Sequence, residues 1–401
     1  MSFCFLSRLG RPPLLAGLLG ALASCQAAPA EQPAGQPPVA QAVPPRPRAT
    51  YPFPTKMPYS SAQISQLFGI VYDRNDPDPA LHYQVMMPKT WAQVTLPPRQ
   101  RVSPQHPVQQ QCLLKSTQGP LAEIKVTLVY VPEEVAPDDW LTNQLAVRGE
   151  KVLQAQSYPQ AGGRQPDVLT ISTTPGPERI SRWVVLKDGA PATGGAHFFV
   201  LQASTLATNY AAELADVFLM AVNNFDILHS THWDYAEQLR TLVRVVPTKV
   251  ATVFPLSWQQ RENPRSDEHF YQVKLTKDLD GRRIGQVNLM LTAGQSEAEM
   301  RRLEEENRQG YQQADHLTFA PAHFEPAPKF GTFDQVFTAL TPQTDVPAGT
   351  PAQERQVLLA RAGTYWVLLE NTRFTQQASP EAWAISKRGF EIVQEHLVVK
   401  P

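Results

Sequence analysis

Pro88-Lys-Thr-Trp91 and Pro255-Leu-Ser-Trp258 are one short phrase written twice, 167 positions apart. Each closes a run that reads as a strand, at 81–87 and at 249–254. Proline cannot donate to a sheet ladder, so it stops the strand, and the tryptophan is free to fold back over the sheet. Two further matches keep nearly the same spacing. Phe198-Phe-Val-Leu201 returns as Tyr365-Trp-Val-Leu368 at an offset of 167, and Phe225-Asp-Ile-Leu228 returns as Phe390-Glu-Ile-Val393 at 165. Three matches in one order at nearly one offset indicate a module used twice.

The text between these landmarks repeats in type. A short helix opens each unit: Ser60 or Ser61 can cap a run through Ile64, Leu67 and Phe68, and Trp233, Ala236, Leu239 and Val243 share a helical face. Alternating Ile124, Val126, Leu128 and Tyr130 predict a strand, as do Val287, Leu289 and Leu291. A polar helix follows. In the first unit it is predicted over 137–155 with Asp138 as cap; in the second, Ser296 and Glu299 form a capping box. Three strands come next in each unit, near 167–174, 181–187 and 196–204, then near 332–340, 354–361 and 363–371. Each unit ends in a helix, the second opened by Ser379, Pro380 and Glu381. Strands in quick succession with short turns make an antiparallel sheet. The expected fold class is therefore α+β: two tandem antiparallel sheets with flanking helices, over residues 59–230 and 231–401.

What precedes the modules is of another kind. Arg8 and Arg11 lead an apolar run, Leu14 to Ser24, that is too short to cross a bilayer needing ~20 residues. It reads as a targeting segment over 1–24. Residues 26–50 hold seven Pro and seven Ala and cannot bury a core; they read as an extended tether over 25–58 that reaches up to ~80 Å. Leu22-Ala-Ser-Cys25 resembles the lipobox of bacterial lipoproteins. That resemblance implies cleavage before Cys25, acylation of Cys25 (palmitate among the chains), and anchoring in a lipid bilayer. Gln26, where Asp would signal inner-membrane retention, implies the periplasmic face of the outer membrane. The competing reading is an ordinary signal peptide cut within Ala27-Ala-Pro-Ala30.

The order of elements, with a strand ending in Pro-x-x-Trp and a closing helix ending in Phe-[Asp/Glu]-Ile-[Leu/Val], resembles the Mog1/PsbP-like fold, an α/β/α sandwich to which the DcrB-type bacterial lipoproteins belong. Members bind partners, a small GTPase for Mog1 and the photosynthetic oxygen-evolving complex for PsbP. The resemblance implies a fold and an accessory role rather than an enzyme; it maps no partner-binding residue here.

Little chemistry is written in the chain. The mature balance is 34 basic against 37 acidic side chains, which offers no long-range attraction to a phosphate backbone and excludes nucleic acid as an expected partner. Cys112 is the one body cysteine and reads as a small core residue. There is no Gly-x-Ser-x-Gly, no phosphate loop and no zinc-type cysteine pair. Asp226, His229, His232 and Asp234 lie within nine residues and are the weak candidates for a metal. A solvated hinge between the modules explains them as well. Phe198, Phe199, Tyr365 and Trp366 put rings on both faces of a strand. They form a candidate interaction patch wherever one sheet face is left open. No cofactor is expected, and no catalytic residue is assigned. The expected function is a non-catalytic outer-membrane lipoprotein that serves as scaffold or assembly factor of an envelope protein complex, such as a secretion or conjugation machine. The alternatives are a ligand-binding lipoprotein with its site between the modules and a metal-dependent hydrolase built on the hinge histidines.

Overall fold

Pro88 and Pro255 end their strands as expected, and the strands and the two larger helices around them repeat in order, while the short opening helix occurs only in the first module. The structure is a computed structural model that describes residues 50–160, 163–172, 176–190, 194–245, 248–267 and 269–400. The first module contains α1 (Ser61–Leu67), β1 (Phe68–Asp73), β2 (Tyr83–Pro88), β3 (Trp91–Gln93), β4 (Val108–Ser116), β5 (Ala122–Val131), α2 (Pro137–Val147), β6 (Glu150–Gln160), β7 (Gly163–Ser172), β8 (Arg179–Gly189), β9 (Ala196–Leu206), α3 (Ala212–Asn223) and β10 (Asp226–Ile227). The second contains β11 (Leu239–Arg244), β12 (Lys249–Pro255), β13 (Gln259–Glu262), β14 (Phe270–Leu279), β15 (Arg282–Ala293), α4 (Glu297–Asp315), β16 (Glu325–Pro326), β17 (Gln335–Pro342), β18 (Gln353–Ala362), β19 (Tyr365–Phe374), α5 (Pro380–Glu395) and β20 (Val398–Lys400). Each module holds a seven-stranded antiparallel sheet, ordered β3-β4-β5-β9-β8-β7-β6 and β13-β14-β15-β19-β18-β17-β16. Each adds a three-stranded sheet, β1-β2-β10 or β11-β12-β20. The fold is two tandem α+β modules with the same topology.

Alternation along the strands sets which residues meet. In the first module Ile124, Val126 and Leu128 face a core shared with Phe218 and Val222 of α3 and Val85 of β2. The opposite face, with Trp183, Val185, Phe198 and Val200, packs on Leu141 and Leu145 of α2. In the second module Val287 and Leu289 share a core with Phe390 and Val393 of α5, and Met290 and Leu368 pack on Met300 of α4.

Four expectations are corrected. The helix at 233–243 does not form: Leu239–Arg244 is β11, antiparallel to β12, with Leu242 buried and Val243 exposed. A period of two and a waiting partner strand override the helical spacing. The helix at 137–155 stops at Val147, because Gly149 (φ 68°) follows its C-cap and β6 begins at Glu150. Its N-cap is Ala136, with no side-chain bond; Asp138 lies in the first turn. The tether does not run to residue 58. Tyr51 and Phe53 pack on the first core, and the Tyr210 hydroxyl donates to the Pro52 carbonyl at 2.8 Å. Aromatic side chains give this proline-rich segment something to bury.

The repeat itself needs adjusting at two landmarks. Phe199 faces the α3 side of its sheet, whereas Trp366, its match at 167, faces the α4 side. Pairing of Leu128 with Phe199 and of Leu291 with Val367 makes Phe199 and Val367 the equivalent pair, at 168. Ile227 pairs with Tyr83 and Val399 with Val250, so the closing strands of the two modules correspond at 172 rather than 165. The Phe225 and Phe390 tetrapeptides are not equivalents: the first lies past the end of α3, the second inside α5.

Candidate functional site

α5 belongs to the second module yet touches both. Phe390 and Val393 face its own sheet, while Ala382, Ala384 and Ile385 join the core formed by Trp183, Val185 and Val200 of the first. Residues 51–401 accordingly make one compact unit. Charged groups fix the contact. Glu134 accepts from Lys187 Nζ at 2.7 Å and from the Ala236 N–H at 2.5 Å, and faces Arg388 Nε at 3.4 Å. All three side chains are at most 2% exposed, and burial pushes the Lys187 ammonium pKa down. Arg388 also meets Glu395 at 2.9 Å; burial works against its charge, but the surrounding carboxylates hold its pKa above the usual guanidinium value. At the rim Lys277 meets Glu133 and Lys387 meets Asp139, each at 2.6 Å. Burial raises the Asp139 carboxyl to about 6, with the Lys387 ammonium opposing the shift.

α2 and the start of α5 do not close over the whole sheet. Between them lies a groove of about 500 Å³. Its floor is the outer face of β5, β9 and β8: Lys125, Thr127 and Val129, then Val200, Gln202 and Trp183. One wall is α2, through Trp140, Asn143, Val147 and Arg148. The other is α5, through Pro380, Glu381, Ala384 and Ile385. Asn143 ties the walls together, donating to the Pro380 carbonyl at 2.8 Å and accepting from Gln376 at 3.0 Å. Trp140 is set edge-on to Phe198, with ring centroids 5.2 Å apart. The lining is mainly apolar, and it continues outwards: Val147 is 81% exposed and Val108, also on the lining, is 60% exposed. Apolar concavity with a few polar groups, at the junction of two units, is the usual form of a binding site.

The residues singled out in the sequence fall elsewhere. Cys25 lies outside the described residues. Asp226 is exposed on β10 and accepts from the Ile227 N–H. His229 stands edge-on to His82 at 5.7 Å, and His232 is exposed with φ 55°. Among the described residues no group of three or more His, Cys, Asp or Glu could hold a metal, so these hinge residues are not drawn together. The hinge is organised by Asp188 instead, which accepts from Ser230 Oγ at 2.7 Å and from the Thr231 N–H at 3.1 Å. The aromatic patch is also corrected. Phe198 and Phe199 are 0% exposed and Trp366 2%, since both faces of each sheet are covered at these positions; Tyr365 is half-buried. Cys112 is buried, as read. The groove residues gave no signal of their own, because Lys125, Thr127 and Val129 read only as the alternate face of a strand.

No family model matches this sequence, and no curated protein matches it. Similar solved structures include cyanobacterial PsbP (CyanoP) from Synechocystis sp. PCC 6803, 9% identical, covering 43% of this chain and 99% of that one, with a TM-score of 0.30. The Ran-binding protein Mog1p of Saccharomyces cerevisiae is 13% identical over 40% of this chain and 93% of its own, with a TM-score of 0.27. The T6SS immunity protein TplEi of Pseudomonas aeruginosa is 7% identical over 80% of this chain and 95% of its own, with a TM-score of 0.22.

Proposed function

We propose that this chain is a non-catalytic binding lipoprotein, held through acylated Cys25 at the periplasmic face of a bacterial outer membrane, and that the groove between its modules is the binding site. The single observation that carries the reading is that groove: apolar, open, and framed by two helices that Asn143 and the Glu134 cluster lock in place. A rigid frame suits recognition, because little ordering is left to be done on binding.

Two measurements test it in a Gram-negative host. Cys25→Ala should abolish acyl labelling and release the protein into the soluble periplasm; unchanged membrane association would refute the anchor. A photo-crosslinking residue at Val147 should give an adduct of defined mass in the envelope. The same residue at Val245, exposed and not part of the groove lining, should not. Absence of any Val147-specific adduct would refute the groove as the site.

A second reading, scaffold or assembly factor of an envelope complex, is favoured by a different surface. Leu67, Ile70 and Tyr72 are 46%, 43% and 52% exposed where α1 runs into β1, the edge strand of the first small sheet. Exposed apolar side chains beside a free strand edge invite a protein partner. Ile70→Lys with Tyr72→Lys should then break co-purification with that complex and leave the Val147 adduct intact.

A further inference from the structure

The groove floor is apolar at Val129, Val131 and Val200 and carries two cations, Lys125 and Arg148, at one end. Lys125, Gln202 and Trp183 are cross-strand neighbours on β5, β9 and β8. Arg148, at the end of α2, lies over the Trp183 ring at 5.4 Å. Lys125 and Arg148 thus stand on one corner of the groove, and neither has an ion-pair partner among the described residues. The acids beside this corner are engaged elsewhere: Glu123 by Arg179 at 3.1 Å, and Glu150 by the Thr170 hydroxyl, which donates to it at 2.7 Å and itself accepts from the Trp183 indole N–H. Lys125 and Arg148 are thus two neighbouring cations that no carboxylate among the described residues pairs directly. Burial, and then the Arg148 charge, push the Lys125 ammonium pKa down. A half-buried cation beside like charge is relieved by an anion.

From that corner the floor turns apolar. Lys125 to Val131 is six residue steps along β5, about 20 Å at strand rise. Thr127, Val129 and Val131 follow one another on the groove face, with Val200 beside Thr127. Of the acids on the lining, Glu133 is paired with Lys277, and Glu381 is exposed on the first turn of α5. A volume of about 500 Å³ is that of a small-ligand site.

We propose that the groove takes a single-chain aliphatic carboxylate, its chain along β5 over Val129 and Val200 and its head group between Lys125 and Arg148. This rests on the groove being the binding site. The charge complementarity decides the head group: an ammonium there would add to a positive cluster, and a neutral head group would leave Lys125 and Arg148 unpaired. The apolar side chains along the groove (Val129, Val200, Trp140, Val147, Ala384 and Ile385) and its open side decide the chain.

The test uses the mature chain and three probes with a ten-carbon chain, each below its micelle or solubility limit: decanoate, 1-decanol and decyltrimethylammonium. Trp140 and Trp183 line the site, so intrinsic fluorescence reads occupancy, with calorimetry as a second measure. Decanoate should bind one to one and at least tenfold more tightly than decanol, and decyltrimethylammonium should bind weakest. Lys125→Met with Arg148→Met should erase the preference for decanoate while leaving decanol binding unchanged; decanol binding also reports that the variant is folded. Decanol binding as tightly as decanoate to the wild-type chain would overturn the head-group assignment while leaving the groove as a site. No binding of any chain, with a Val147-specific adduct still formed in the envelope, would overturn the ligand class and leave the groove reading standing. Loss of both would remove the two together.

Discussion

Asp139 shows how one side chain ties the module contact to pH. Its carboxyl sits at about 6 because burial outweighs the pull of Lys387. Burial also works against the Lys387 charge, yet Glu391 and Asp139 together raise its pKa, since two acids share one cation. The folded state thus holds the Asp139 proton more tightly than the unfolded chain does, where the value is about 3.9. The favourable contribution of protonated Asp139 is complete below about pH 4 and is lost as pH rises through 6. Two units correspond to a few kcal/mol at most, so an effect on the order of 2 kcal/mol is expected. Asp139→Asn should flatten the denaturant stability profile between pH 4.5 and 7.5; an unchanged profile would show that another group sets it. Gly389 is a second sensitive point. It lies on α5 against Trp258, and an added Cβ would run into the indole ring. Gly389→Ala should destabilise by about 1–3 kcal/mol through overpacking, despite alanine's better helix propensity; thermal unfolding checks the sign. Trp258 was legible in the sequence as a ring folding back from Pro255, because that depends on four adjacent residues. Its partner Gly389 was not, because it lies more than a hundred positions away and glycine in a helix carries no local signature.

Between elements, local chemistry was readable and register was not. The Ser296–Glu299 capping box forms as written, the Glu299 carboxylate accepting from the Ser296 N–H at 2.7 Å. The strand match at Phe198 slipped by one residue, and a one-residue slip exchanges the two faces of a strand. Phe198 and Phe199 point to opposite faces and both are fully buried, so at this point the letters could not tell one face from the other. The groove was hidden for a related reason, since its walls come from α2 and α5, helices in different modules. α5 is the element on which this can be tested. Phe390 serves the second core and Ile385 the first. Truncating either buried side chain to alanine should destabilise, by about 3–5 kcal/mol for Phe390 and about 2–5 for Ile385. The distinguishing outcome is where protection is lost. Ile385→Ala should speed amide exchange in β8 and β9 of the first module, although the substitution lies in the second. Faster exchange confined to β15 and β19 would show that α5 does not support the first sheet.

At the scale of the molecule, duplication and fusion act in opposite senses. Two identical topologies suggest two independent folding units. The shared helix and the Glu134 cluster argue that the first module lost that independence. Its outer sheet face, with Trp183, Val185, Phe198 and Val200, is roofed partly by Ala384 and Ile385. Its Glu134 and Lys187 pair is buried against Arg388 of the second module. A chain of residues 50–230 alone would open that face to water and expose part of a buried ion pair. Uncovering apolar surface costs about 25 cal/mol for each Å², and few domains have more than 5–15 kcal/mol to lose. Residues 50–401 should therefore unfold in one cooperative transition by circular dichroism and by calorimetry, with matching calorimetric and van't Hoff enthalpies. The isolated first module should melt at a much lower temperature or aggregate. Two separated transitions in the full chain, or an isolated first module as stable as the whole, would mean that the modules merely lie side by side, and that the groove between them is not held to a fixed width.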